Sequence, residues 1–299
     1  MLQGVRLPAS LRSTLIHLRL PFFFFLMPIW LAALAALPRA GIDWAMAFQL
    51  FFVFHFLLYP ASNGFNSYFD RDEGPIGGIA KPPEVHRSLL ATCLCLDALG
   101  LAWAFMAGPL FGLATLVYGT GSKLYSWDRI RIKRRPILGW LMTGFGQGAF
   151  TLLSMAIVAG GGLGVLGRAP VLWAAGLITA FLLGVYPLTQ IYQHEEDARR
   201  GDLTISRLVG IRGTFVLAAA CLGLASLGFV PWIAGMSGPL WATSFLLANL
   251  PALGYFLAWA RRATRDPQAA NFRSTTTMSL LASGLMNAWF ILYLFLRQA

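Results

Sequence analysis

Polar residues are scarce along most of this chain, and they come in bunches. Between the bunches run apolar stretches too long and unbroken for the alternation of a half-buried strand. Nine of them, at about 21–38, 43–70, 87–108, 109–127, 137–160, 170–196, 209–234, 238–262 and 275–297, come near the roughly 20 residues a helix needs to cross a bilayer. The third and fourth meet at Gly108-Pro109, which predicts a very short turn. Ahead of them, residues 1–20 place Arg6, Arg12 and Arg19 among Leu and Ile at helical spacing, as in a segment lying on the inner membrane surface. A cleaved secretory signal competes for this end, with Pro21 to Trp30 as its apolar region and Ala33-Leu34-Ala35 as its cleavage site. The roughly 20 residues before that run are long for a signal, and the first stretch completes the set if retained.

The pattern therefore predicts an all-α fold: a polytopic membrane bundle of about nine helices in one domain spanning residues 1–299. Similar polar clusters end the second and sixth stretches. Stretches one to four and five to eight thus read as two copies of one four-helix unit, followed by a ninth helix, although direct similarity between the halves is weak.

Composition agrees. Hydrophobic residues make up 57% of the chain and charged residues 12%, against roughly 25% charged in soluble domains. The net charge of +11 would suggest nucleic acid in a soluble protein, but here the basic residues lie between apolar stretches. Of the 23 Lys and Arg, 20 fall at the N-terminus or around the connections after stretches two, four, six and eight; only Arg39, Arg168 and Arg297 lie on the other side. That asymmetry predicts a cytoplasmic N-terminus and an outside C-terminus, as in a bacterial inner membrane protein. Cys93, Cys95 and Cys221 sit inside apolar stretches and read as buried thiols.

The acids are more telling. The chain has 12 Asp and Glu. Asp70, Asp72 and Glu73 close the second stretch; Glu195, Glu196, Asp197 and Asp202 lie at or beside the end of the sixth. Residues three or four apart share a helix face, which groups Asn66 with Asp70 and Glu73, and Gln193 with Glu196 and Asp197. Gly74-Pro75 and Gly77-Gly78 end the helix and free Asp72 and Glu73 to turn inward. Carboxylate and amide oxygens without Cys or His ligand pairs favour a hard cation such as Mg²⁺. Because Mg²⁺ takes few protein carboxylates and fills its shell with water and phosphate oxygens, the two clusters predict a divided Mg²⁺ site around a phosphorylated ligand. The plainer alternative is that these acids are solvated helix ends balancing nearby arginines.

Between the clusters, Lys123 sits in the last turns of the fourth stretch, where it either snorkels or points at a phosphate. The run Arg129, Arg131, Lys133, Arg134 and Arg135 reads most simply as positive-inside anchors. Arg71 and Lys81 are further phosphate candidates, and Phe65, Tyr68, Tyr125 and Tyr192 offer aromatic faces to a cation. Asp97 and His55 are intramembrane ionisable groups, functional by default or held neutral between helices. His194 is a base, a ligand or neither.

Asn66-x-x-x-Asp70 resembles the first Asp-rich motif of the UbiA-type intramembrane prenyltransferases, and Asp197-Ala-Arg-Arg-Gly201-Asp-Leu-Thr204 resembles the second. Lys123-Leu-Tyr125-Ser126, Arg131-x-Lys133 and Gly146-Gln147-Gly148 are similar to stretches between those motifs. The resemblance implies a helical bundle around a lipid-open cavity and Mg²⁺-dependent transfer of a prenyl group from a prenyl diphosphate to a hydrophobic acceptor, often an aromatic or quinone precursor. It implies catalytic roles for Asp70, Asp197 and Lys123 and metal roles for Asn66, Asp70 and Asp197, with Asp72, Glu73, Gln193 and Glu196 as helpers. Lys123 and Tyr125 would line the diphosphate pocket, beside Arg71 and Lys81. Ser67, Gly74 and Gln193 depart from the common motifs, where Asp stands, and leave subgroup and acceptor open. Neither nucleic acid nor an obligate protein partner is expected. A secondary transporter using Asp97 and His55, and a catalytically silent family member, are the competing readings.

Overall fold

The computed structural model describes residues 8–297, and these are helical throughout apart from connecting loops and one isolated bridge between Ile76 and Ile79. In chain order the helices are α1 (Ala9–His17), α2 (Phe23–Ala36), α3 (Trp44–Asp70), α4 (Ser88–Ala107), α5 (Pro109–Ser126), α6 (Pro136–Ala159), α7 (Ala169–Gln190), α8 (His194–Arg199), α9 (Ile205–Ser237), α10 (Pro239–Arg265) and α11 (Phe272–Leu296). Among the described residues, eight helical segments are long and apolar enough to cross a membrane: α1 and α2 taken together, α3, α4, α6, α7, α9, α10 and α11. The remaining expected span is α5. Its 18 residues include Gly119-Thr120-Gly121-Ser122-Lys123, which lowers its apolarity below the others. Residues 1–7 of the expected interfacial segment lie outside the described part; the rest of it contains α1.

Physical reasons for these boundaries are local. Proline opens α5, α6 and α10 at their first positions, where a missing N–H costs nothing. Asp43 and Asn271 cap α3 and α11, each accepting a hydrogen bond from a backbone N–H three residues on. Two helices contain a wider turn, Val53–Leu58 in α3 and Gly146–Phe150 in α6. α9 is broken at Gly210, whose φ of 69° and ψ of 175° no β-carbon-bearing residue adopts easily.

The main core forms where α2 is surrounded. Ala32, Ala33, Ala35 and Ala36 are buried there, and such small side chains let helices approach closely in a membrane. Asn287 Nδ2 of α11 donates to the Phe24 carbonyl at 2.9 Å and ties the last helix to the first span. A second core joins α7, α9, α10 and α11 around Trp259, and a small third one joins α3 and α4 around Phe65 and Cys93. α1 lies across the connection before α4: Ser13 Oγ donates to the Glu84 carbonyl at 2.6 Å, and Thr14 and Ser88 hydroxyls are 3.1 Å apart. The ends of α3, α5 and α7 and the start of α9 converge on one side of the bundle, around a cavity of about 460 Å³.

Candidate active site

α3 ends at Asp70 because Arg71 takes a left-handed conformation (φ 48°), turning the chain into the Asp72–Pro83 connection. α7 ends at Gln190 and is followed by the short α8, which carries Glu196 and Asp197. Asn66, Asp70, Asp72, Gln193 and Asp197 all line the cavity, so the two polar clusters meet across it.

Asp70 is 7% exposed and held by three cations. Its Oδ1 accepts from Arg131 Nη2 at 3.1 Å, its Oδ2 pairs with Lys133 Nζ, and Arg200 Nη1 lies 3.9 Å away. Arg131 sits at φ 44° with its side chain buried, grips Asp202 through Nε and Nη2 (2.9 and 2.8 Å), and reaches Asp128 at 2.7 Å. Arg200 also approaches Asp72 at 3.4 Å. Thr204, the residue just before α9, donates to Asp197 Oδ2 at 3.2 Å. Burial, reinforced by the charge of Asp70, pushes Asp72 up to about 7. Burial also pushes Asp197 up to about 6, against the opposing pull of Lys133. Burial raises the cost of charging each carboxylate, and a nearby like charge adds to it.

Glu196 does something else. Its Oε1 accepts from the Glu73 N–H at 2.8 Å and its Oε2 from the Gly74 N–H at 3.1 Å. A β-carbon at position 74 would stand 2.6 Å from that Oε2, so the carboxylate in this seat takes the space a side chain there would need. Gln193 Nε2 adds a bond to the Pro75 carbonyl at 3.3 Å. The second cluster thus clasps the backbone of the first. Glu73 itself is turned outward, away from the cavity.

The remaining sequence candidates divide. Tyr125 and Tyr192 line the cavity; Tyr125 is hydrogen-bonded to Tyr186, whose hydroxyl accepts from Gln190 Nε2 at 2.9 Å. Lys123 does not line it: its Nζ pairs with Asp97 Oδ2 at 2.7 Å and lies 5.1 Å from the Phe65 ring. Phe65 and Tyr68 pack between α3 and α4. Lys81 is exposed on the connection, and Arg71 faces a separate outer pocket. Arg131 and Lys133 are not simple positive-inside anchors, since they turn back onto Asp70. The Arg131-x-Lys133 spacing was the available signal, and the basic run around it masked it. Arg19, Arg200 and Tyr186 line the cavity without having been singled out.

Cavity walls below this charged rim are apolar and aromatic, with Phe22, Phe25, Phe150, Phe181 and Tyr118 among the lining residues and neither Cys nor His. Among the described residues no three His, Cys, Asp or Glu side chains converge into a complete metal cage. An oxygen-only donor set of separated carboxylates fits Mg²⁺, which completes its octahedron with water and ligand phosphate oxygens.

Solved structures share this architecture. A UbiA homologue from Archaeoglobus fulgidus bound to DMAPP and Mg²⁺ superposes with a TM-score of 0.68 at 16% identity, over 95% of this chain and 99% of that one. An apo UbiA homologue from Aeropyrum pernix K1 gives 0.70 at 19% identity, over 92% and 98%. A digeranylgeranylglyceryl phosphate synthase structure gives 0.59 at 17% identity, over 96% and 98%. No individual curated protein matches the sequence. The profile of the UbiA prenyltransferase family matches residues 25–291, nearly the whole described bundle, and the chain belongs to that family.

Proposed function

We propose that this prenyltransferase ionises a prenyl diphosphate, with Mg²⁺ bound, and transfers the prenyl group to a hydrophobic acceptor inside the membrane. One observation carries the reading: Asp70 and Asp197, from opposite halves of the chain, line a single cavity whose rim also bears Lys133 and Arg200 and whose body is aromatic. The A. fulgidus homologue, bound to DMAPP and Mg²⁺, supports the ligand assignment.

Asp70, Asp72 and Asp197 would hold Mg²⁺, with Asn66 and Gln193 as neighbouring oxygen donors. Bound there, the cation would neutralise charge developing on the departing diphosphate. Lys133 and Arg200, which line the same cavity, would add fixed positive charge against the departing diphosphate. Arg131 does not line the cavity and holds Asp70 in position. The faces of Phe181, Tyr125, Tyr186 and Tyr192 suit the allylic cation left behind, by cation–π attraction. The apolar and aromatic part of the chamber would also limit the access of water to that cation. The asymmetry of Lys and Arg supports a cytoplasmic position for this rim.

The transporter reading loses its footing. Its two residues do not reach the cavity: Asp97 is paired with Lys123, and His55 Nδ1 lies 2.9 Å from the Phe51 carbonyl. The test is release of inorganic diphosphate from prenyl diphosphates of several lengths by the purified protein, with and without Mg²⁺. Release is expected only with the metal, and D70N and D197N should each lower it by about 10²-fold or more, in line with the loss of one preorganised charge-stabilising group. No release from any donor sinks the proposal and leaves a catalytically silent relative.

A further inference from the structure

Arg200 stands between two spaces. Its guanidinium lines the main cavity, near Asp70 and Asp72, and its other face lines an outer pocket of about 160 Å³ formed with Arg71, Glu73, Glu196 and Arg199. The outer pocket lies beyond the clasp in which Glu196 holds the Glu73 and Gly74 amides. Its three guanidiniums outnumber its two carboxylates, and Glu196 is already engaged by those amides and by Arg200 Nη2 at 3.4 Å. Arg71 is aimed at this side by its left-handed backbone and stacks 5.9 Å from the Tyr68 ring. Arg71 and Arg199 are exposed and make no ion pair among the described residues.

Guanidinium forks meet phosphate oxygens bidentately, and two of the three here, on Arg71 and Arg199, have no ion-pair partner among the described residues. The reaction proposed above makes two products of opposite solubility. The prenylated one belongs in the lipid, while inorganic diphosphate must reach water, and the cavity body is apolar. We propose that the Arg71–Arg199–Arg200 pocket is a second diphosphate-binding site, through which inorganic diphosphate leaves the cavity once the Glu196 clasp lets go of the loop. Arg200 hands the anion from one space to the other. This rests on the prenyl-transfer reading for its kinetic consequence and for the main-cavity equivalent, but not for binding at the outer pocket.

Two measurements separate the claims. Inorganic diphosphate, titrated by calorimetry into the purified full-length protein with Mg²⁺, should bind at two equivalents, and at one in R71N/R199Q. Asn is chosen at 71 because it accepts the left-handed conformation; R199Q alone, at an exposed position, should weaken the second equivalent in the same direction. With a prenyl diphosphate donor, the double variant should keep its single-turnover rate and lose at least fivefold in steady state, so that a burst appears. One equivalent in both proteins overturns the outer site. Steady-state rates that match overturn its role in exit, as does a rise in donor KM alone, which would make the pocket an entry point. Two equivalents bound by a wild type that cleaves no donor would uphold the site and refute the prenyl-transfer reading instead.

Discussion

Arg131 is buried because three carboxylates need it. It meets Asp70, Asp128 and Asp202, and the 3%-exposed Asp202 side chain takes two of its nitrogens. Removing one partner of such a pair leaves a buried charge uncompensated, at a cost of about 3–5 kcal/mol. R131Q should therefore unfold at markedly lower temperature in detergent, and R131K should recover only part of the loss because an ammonium cannot keep the bidentate grip. Equal melting of R131Q and wild type would remove Arg131 from the scaffold of the site. The acids that gather here were legible in the sequence because so few others exist. Their cations were not: Arg131 and Lys133 sit in a run of five basic residues between Arg129 and Arg135, and only tertiary folding distinguishes the two that turn inward. The same carboxylates set a pH dependence. Asp72, pushed up to about 7, and Asp197, to about 6, hold protons in the metal-free protein over a range where free aspartates are ionised. A divalent cation must displace those protons. Its apparent affinity should thus rise as pH increases through 6 to 7 and level off above that window. Mg²⁺ titrations from pH 5.5 to 8 that show one constant affinity would contradict this.

Helix ends decide how the two clusters stay together, and this part was unreadable in advance. Periodicity grouped Glu196 with Gln193 and Asp197 on one face, which suggested three ligands. The structure instead spends Glu196 on the amides of the opposite connection, and residue 74 is the hinge of that contact. The missing side chain at Gly74 counts as a departure from the common motif when read alone; in space it is the room that Glu196 occupies. G74A should force the carboxylate away and leave two amides without their acceptor, a loss of about 1–3 kcal/mol for each group that stays buried. The expected sign is faster amide hydrogen exchange over residues 73–79, with prenyl diphosphate cleavage reduced. E196Q, which keeps one acceptor oxygen, should fall between. Exchange unchanged in G74A would mean that the connection is held by Ile76, buried at 2%, rather than by the clasp. The ion pair between α4 and α5 was equally hidden: Asp97 and Lys123 were each conspicuous, but that they meet depends on the rotation of two helices about their axes.

Across the whole molecule, the order of the helices followed from hydropathy, but the sixth stretch, expected to run from 170 to 196, stops at Gln190 and leaves Glu196 and Asp197 to the separate α8. The charge count followed the same division. The structure sharpens that count. Arg39 donates to the carbonyls of Phe295 and Arg297, and Arg297 donates to those of Leu34 and Ala35, so two of the three arginines on the sparse side are tied to helix C-termini. Such carbonyls have no intrahelical partner and carry the negative end of the helix dipole, which explains why positive charge is tolerated there. Of the sparse-side arginines only Arg168 is exposed and untied, against the many basic residues on the side of the candidate site, and such an excess in short connections predicts a cytoplasmic position for that side. In a variant whose native cysteines are replaced, A80C on the Asp72–Pro83 connection and G164C on the α6–α7 connection should therefore differ in sealed cells. A membrane-impermeant maleimide added outside should label G164C and spare A80C, and permeabilised cells should label both. The reverse pattern would place the acids, and with them any diphosphate chemistry, on the outer face, away from the cytoplasm, and would overturn the orientation drawn from charge.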